Sequence, residues 1–130
     1  MSLPQITFQV RTRSRTTPSD MVIRVGAILG CRFAPSSDRM FDDGHAVQAS
    51  VLGLQVTLSW LPEPEGSHMY IVMAAPRADI EAQWGGGGDA PQLSIGPYIL
   101  GVMRICGGDG WYIPTFEEHL TEAGLSSASD

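Results

Sequence analysis

Asp42, Asp43 and His45, gathered around Gly44, form the densest group of ionisable side chains in the chain. With His68 or His119 brought near by folding, such a group could hold a metal or move a proton, because carboxylates and imidazoles supply both ligands and a general base. No second ligand follows at a recognisable metal spacing, however, and Asp-Asp-Gly directly before an alternating apolar segment is ordinary turn chemistry. The group reads as a turn, with no catalytic residue and no metal assigned. Four glycines at 85–88 invite a phosphate-loop reading, but the lysine and Ser/Thr that end a Walker motif are missing, as is the spacing of a dinucleotide fingerprint. A linker or mobile lid is the plainer reading, with Trp84 beside it as an aromatic open to a ligand.

Three further groups carry possible chemistry. Gly107-Gly108-Asp109-Gly110 is a tight connection into Trp111, which is a core residue by default and a contact residue if exposed. Arg11, Arg13 and Arg15 alternate along one segment and could grip phosphate or an acidic partner, although a solvated outer face is the plainer reading. Cys31 and Cys106 each end an apolar run, far apart and outside any Cys-x-x-Cys pair, which suits two buried thiols in a reducing compartment, with a disulfide as the alternative. A nucleophilic Ser or Cys needs a histidine base held by a carboxylate, and no such arrangement is legible. No cofactor is implied.

The elements that would position these residues follow from periodicity. Ile6, Phe8 and Val10 alternate with polar residues and arginines, which predicts a half-buried strand over 5–15. Thr17-Pro18-Ser19-Asp20 has an N-cap, a proline at the first helical position and an acid at the positive end of the dipole. Met21, Val22, Val25, Ile28 and Leu29 continue it as one apolar stripe, and Gly30 supplies a left-handed stop. Val47 to Val51 and Leu54 to Trp60 alternate on either side of Leu52-Gly53, which predicts a β-hairpin.

Pro62, Pro64 and Gly66 break the chain before the apolar run 69–75, whose lack of alternation suits a central strand covered on both faces. Residues 76–84 could form a short helix. Residues 97–106, apolar except for Arg104, read as a buried helix between Pro97 and the Gly107-Gly108 stop, with a strand as the alternative. A short strand over 111–114 and a capping-box pattern at Thr115-Phe116-Glu117-Glu118 close the domain. The expectation is one α+β domain over 1–124, with a disordered tail at 125–130. Its architecture is a two-layer sandwich: a mainly antiparallel sheet of about five strands with two main helices on one face, in the order β-α-β-β-β-α-β.

Charge narrows the function class. The chain of 130 residues carries a net charge of −6, and all eight of its positive charges are arginine. Residues 1–39 hold six arginines against Asp20 and Asp38, whereas residues 40–130 hold two against twelve acids. The total disfavours nucleic acid and favours a protein partner with a basic surface. No apolar run approaches the roughly 18 residues needed to span a bilayer, and the first residues lack the pattern of a secretory signal, so the expected location is cytoplasmic and away from membranes.

The succession of a helix ending Ile28-Leu29-Gly30, a polar segment ending Phe41-Asp42, a hairpin through Val47 to Trp60, and Gly110-Trp111-Tyr112 after an apolar helix resembles small bacterial immunity proteins of polymorphic-toxin systems. The resemblance covers residues 18–114. It implies a non-enzymatic role in which an acidic surface plugs the active site of a cognate toxin, and it transfers no particular functional residue.

Three functions are therefore carried forward. The first is a binding protein acting by surface complementarity, with Asp42, Asp43, Glu63, Glu65 and Glu81 as acidic contacts. The second is a small-ligand domain or enzyme near the glycine-rich loop, which requires His45, His68, Trp84 and Trp111 to converge. The third is a structural or regulatory domain that dimerises through an exposed strand edge.

Overall fold

Ten alternating residues at the start of the chain become a strand, β1 (Gln5–Ser14), with Phe8 and Val10 buried on one face. The computed structural model describes residues 5–35, 45–80, 92–108 and 110–114. Helix α1 (Pro18–Leu29) begins as its sequence dictates: the Thr17 hydroxyl accepts from the Asp20 N–H, Pro18 occupies the first turn, and Gly30 ends the helix at φ 71°. Then follow β2 (Ala34–Pro35), β3 (Ala46–Val51), β4 (Leu54–Pro62), a 3-10 turn (Pro64–Gly66), β5 (His68–Pro76), β6 (Gln92–Ser94) and α2 (Gly96–Gly107).

The six strands form one mixed sheet in the order β2-β3-β4-β5-β1-β6. All neighbours are antiparallel except β1 and β6, which pair in parallel from Gln5–Gln92 to Thr7–Ser94. The α+β class and the predominance of antiparallel pairing match the expectation. Two elements were missed in the sequence. Strand β2 is only two residues long, and β6 is three residues whose pairing is non-local, so neither carries a period to read. The hairpin forms at Leu52-Gly53, both at positive φ (51° and 82°), the two-residue geometry that matches strand twist. Strand β5 lies between β4 and β1, as its unbroken apolar run suggested.

Even-numbered positions of the three central strands make the core face. Phe8 and Val10 stand opposite Ala74 and Val72, which stand opposite Val56 and Leu58. Met21 and Val25 of α1, Ile99 and Met103 of α2, and Trp111 close over this face to complete one cluster. Each fully buried Val, Leu or Met contributes about 1.5–3 kcal/mol from burial. The helices touch where Gly107 meets Ile28 and Trp111: a Cβ at Gly107 would lie 2.9 Å from Ile28 Cδ1, so a larger residue there would require the Ile28 side chain to shift.

Several expectations are corrected. Residues 97–106 do form a helix, but not a buried one: only Gly96, Ile99 and Met103 of α2 are buried, while Tyr98 and Ile105 are 72% and 87% exposed. The reason is that α2 lies along the surface of the sheet, so one stripe alone reaches the core. Cys106 is consequently exposed and Cys31 half-buried, and neither is in a disulfide. The arginines do not share a solvated face, since Arg11 is 4% exposed while Arg13 and Arg15 remain open. The closing strand reduces to one antiparallel bridge, Arg11 to Tyr112. The short helix expected over 76–84 is seen only at 78–80, the remainder lying outside the described residues.

Candidate functional site

Three surfaces emerge once the residues are placed. The first is the end of the sheet where β1 stops and β5 begins. Arg13 Nε lies 3.2 Å from Glu63 Oε1, and Arg15 reaches Glu65 at 3.6 Å. The basic strand and the acidic turn, separated by fifty residues, thus neutralise each other. Asp79 is likewise engaged by Arg77, whose hydrogen bond to it holds the Asp79 carboxyl below its ordinary range. Asp20, the remaining acid of the described residues, sits in the first turn of α1. Seven of the eight arginines but only four of the fourteen acids fall within the described residues, so the acidic surplus belongs to segments outside them.

At the same sheet end, His45 immediately precedes β3, and its carbonyl accepts from Trp60 N–H at 3.1 Å. His68 opens β5 with its ring 5.8 Å from that of Tyr70, and its Nδ1 is buried with no hydrogen-bond partner among the described residues. The Tyr70 hydroxyl donates to the Thr16 carbonyl, and burial together with the negative charge of Asp20 pushes its ionisation upward. Trp111 is 3% exposed and packs in the core, where its carbonyl accepts from Arg104 Nε at 2.9 Å. Asp42, Asp43, Glu81, Trp84 and the glycines at 85–88 lie outside the described residues, as does the capping-box segment from Thr115 onward. Among the described residues, no group of three or more His, Cys, Asp or Glu is placed to hold a metal ion.

The second surface is the outward side of α2. Tyr98, Gly101, Val102 and Ile105 follow one another at i, i+3, i+4 and i+7, which stacks them on a single stripe opposite Ile99 and Met103. The helix is therefore apolar on both sides, with Arg104 its only charged residue. A helix hydrophobic all round is normally buried all round, yet this one presents two large side chains to solvent. Sequence reasoning identified the apolar run but took its uniformity as evidence of burial. Glycine position does not separate the two stripes: Gly96 and Gly107 lie on the packed side at close approaches, but Gly101 lies on the outward stripe with open space around it.

The third surface is a cleft of about 540 Å³ beside β1, on the side that faces away from β5, lined by Thr7, Gln9, Met73, Ser94, Gly96, Ile113 and Pro114 among others. None of the described residues that line it is ionisable. It lies just beyond the glycine-rich segment in sequence, but neither His45, His68 nor Trp111 lines it. A smaller depression of about 290 Å³ toward the opposite edge of the sheet is bordered by Gln48, Ser50, Gln55 and Arg77, whose guanidinium is paired with Asp79. No helix among the described residues is long and apolar enough to cross a membrane. No protein-family model, curated protein or solved structure matches the chain.

Proposed function

We propose that the protein is a non-enzymatic binding protein that acts by surface complementarity, using the outward stripe of α2 to seat a basic protein partner. The observation that carries this reading is the exposure of Tyr98 and Ile105 on a helix otherwise built of apolar residues. Aromatic and large aliphatic side chains on a rigid helix make the central contacts of protein interfaces. The net charge of −6, carried by acids outside the described residues while α2 itself holds only Arg104, disfavours a second copy and attracts a basic protein at long range, accelerating its encounter. The finer reading, an immunity protein that neutralises a toxin, rests on the resemblance in size, acidity and α+β construction.

The test is capture from the native host with four forms of the tagged chain: the unaltered protein, Tyr98→Ser, Ile105→Ser and, as a control at the hairpin tip, Leu52→Asn. A basic protein that is released by salt, retained by the unaltered and Leu52→Asn forms, and reduced at least tenfold by the two α2 changes is the expected result. A partner indifferent to Tyr98 and Ile105, or a light-scattering mass of a dimer that α2 substitution dissolves, would overturn it.

A further inference from the structure

The edge of β1 that faces away from β5 is paired at both ends and open in the middle. Arg11 exchanges both of its backbone hydrogen bonds with Tyr112, at 2.8 Å each, and the Thr7 carbonyl accepts from Ile95 N–H at 2.9 Å. Backbone groups alternate sides along a strand, so the N–H and C=O of Gln9 point the same way as those of Thr7 and Arg11, away from β5. Two features of the sequence limit what either neighbour can offer them. Continuing the Arg11–Tyr112 ladder by one step would set Gln9 opposite Pro114, which has no N–H to give. Continuing the β1–β6 ladder would require the Ile95 carbonyl, but that group accepts from Ile99 N–H at 3.0 Å as the chain turns into α2. No hydrogen bond among the described residues engages Gln9 on this side.

Gln9 lines the cleft of about 540 Å³ described above together with Ser94 and Pro114 of the two flanking segments, a volume within the range of small-ligand sites. Its walls divide by chemistry. Thr7 and Ser94 offer hydroxyls beside the strand edge, and Met73, Ile113 and Pro114 form an apolar side. With no ionisable residue among the described residues of the lining, a charged ligand would lose water without gaining a counter-charge from them. A ligand that matches must carry an N–H and a C=O flanking one tetrahedral carbon, to exchange two bonds with Gln9 as an antiparallel strand residue does, together with an uncharged apolar side group. We infer that this cleft binds a single extended peptide unit with a neutral side chain, paired to the Gln9 backbone. The pairing is one residue deep, because Ser94 and Pro114 close the slot above and below. This inference is independent of the α2 stripe.

Two measurements test it. Amide hydrogen exchange first reads the site itself: Gln9 N–H should exchange at least a hundredfold faster than those of Val10 and Arg11, which lie in ladders on either side. Protection of Gln9 equal to its neighbours would overturn the inference. The probe is then N-acetyl-leucine N′-methylamide, titrated against the isotope-labelled protein. The expected result is a downfield shift of the Gln9 amide that saturates at millimolar probe, about tenfold weaker binding of the analogue methylated on the leucine nitrogen, which cannot donate to the Gln9 carbonyl, and no shift with the glutamate counterpart. Equal binding of the N-methylated analogue, or shifts confined to residues away from the cleft, would overturn it. Ser94→Phe, at an exposed position, fills the slot and should abolish the shift while leaving the thermal midpoint within a few degrees.

Discussion

The guanidinium of Arg13 meets the carboxylate of Glu63 with Nε 3.2 Å from Oε1, joining the last turn of the first strand to the turn that follows the fourth. Their side chains are 57% and 27% exposed, so the attraction acts largely through water. Exposed pairs contribute roughly 0–1 kcal/mol, and Glu63→Gln should lower the stability by no more than about 0.5 kcal/mol in denaturant unfolding. Because Glu63 and Glu65 are already neutralised by Arg13 and Arg15, removing both should leave partner affinity within about threefold at 0.1 M salt. A loss beyond tenfold would return them to the contact surface.

Tyr70 ties the middle of the sheet to the start of α1 by donating to the Thr16 carbonyl. Tyr70→Phe should cost about 1 kcal/mol, since it strips a partner from a carbonyl and leaves the ring in place. The hydroxyl also fixes an alkaline limit. Its folded-state pKa is raised, so the stability it contributes is fully present below the unfolded value near 10 and is lost as pH rises through the folded one. The unaltered protein should lose stability above about pH 10, and Tyr70→Phe should flatten that decline; parallel declines in urea midpoints would contradict it.

Leu52 is 99% exposed at φ 51°, a conformation that strains a leucine and suits asparagine. Leu52→Asn should raise stability by about 0.5 kcal/mol, whereas Gly53→Ala, at φ 82°, should lower it by about 1 kcal/mol. Calorimetry of the pair gives opposite signs if the turn is as described.

The two stripes of α2 should separate in a stability assay. Met103 is fully buried, and Met103→Ala should cost about 2–5 kcal/mol. Ile105→Ser, about half a turn further on and on the outward side, should stay within about 0.5 kcal/mol. A large loss at Ile105 would mean that its stripe is packed in the free protein.

Cys106 is exposed, while burial pushes the Cys31 thiol up. At pH 8 Cys106 should therefore alkylate with iodoacetamide at least tenfold faster than Cys31, as peptide mapping would show. Equal rates would place both thiols in the same environment.

Much of the framework was legible because its signals are local. The Thr17 cap, the Gly30 stop, the Leu52-Gly53 turn and the period of β1 each depend on residues within one turn or one strand, and each appears where the sequence put it. The sequence could not tell that Arg13 would meet Glu63, that a basic strand and an acidic turn would cancel, or that β6 would pair in parallel with β1. Those are contacts across fifty or more residues, and no local period encodes them. The apolar run of α2 illustrates the division most clearly. Its residue types determined a helix, but how much of that helix the sheet covers was decided by packing geometry, because a flat surface can bury only one stripe of a cylinder. The open edge at Gln9 arises the same way: Pro114 and the turn into α2 are written in the chain, yet only folding brings both beside one strand residue that lines a cleft.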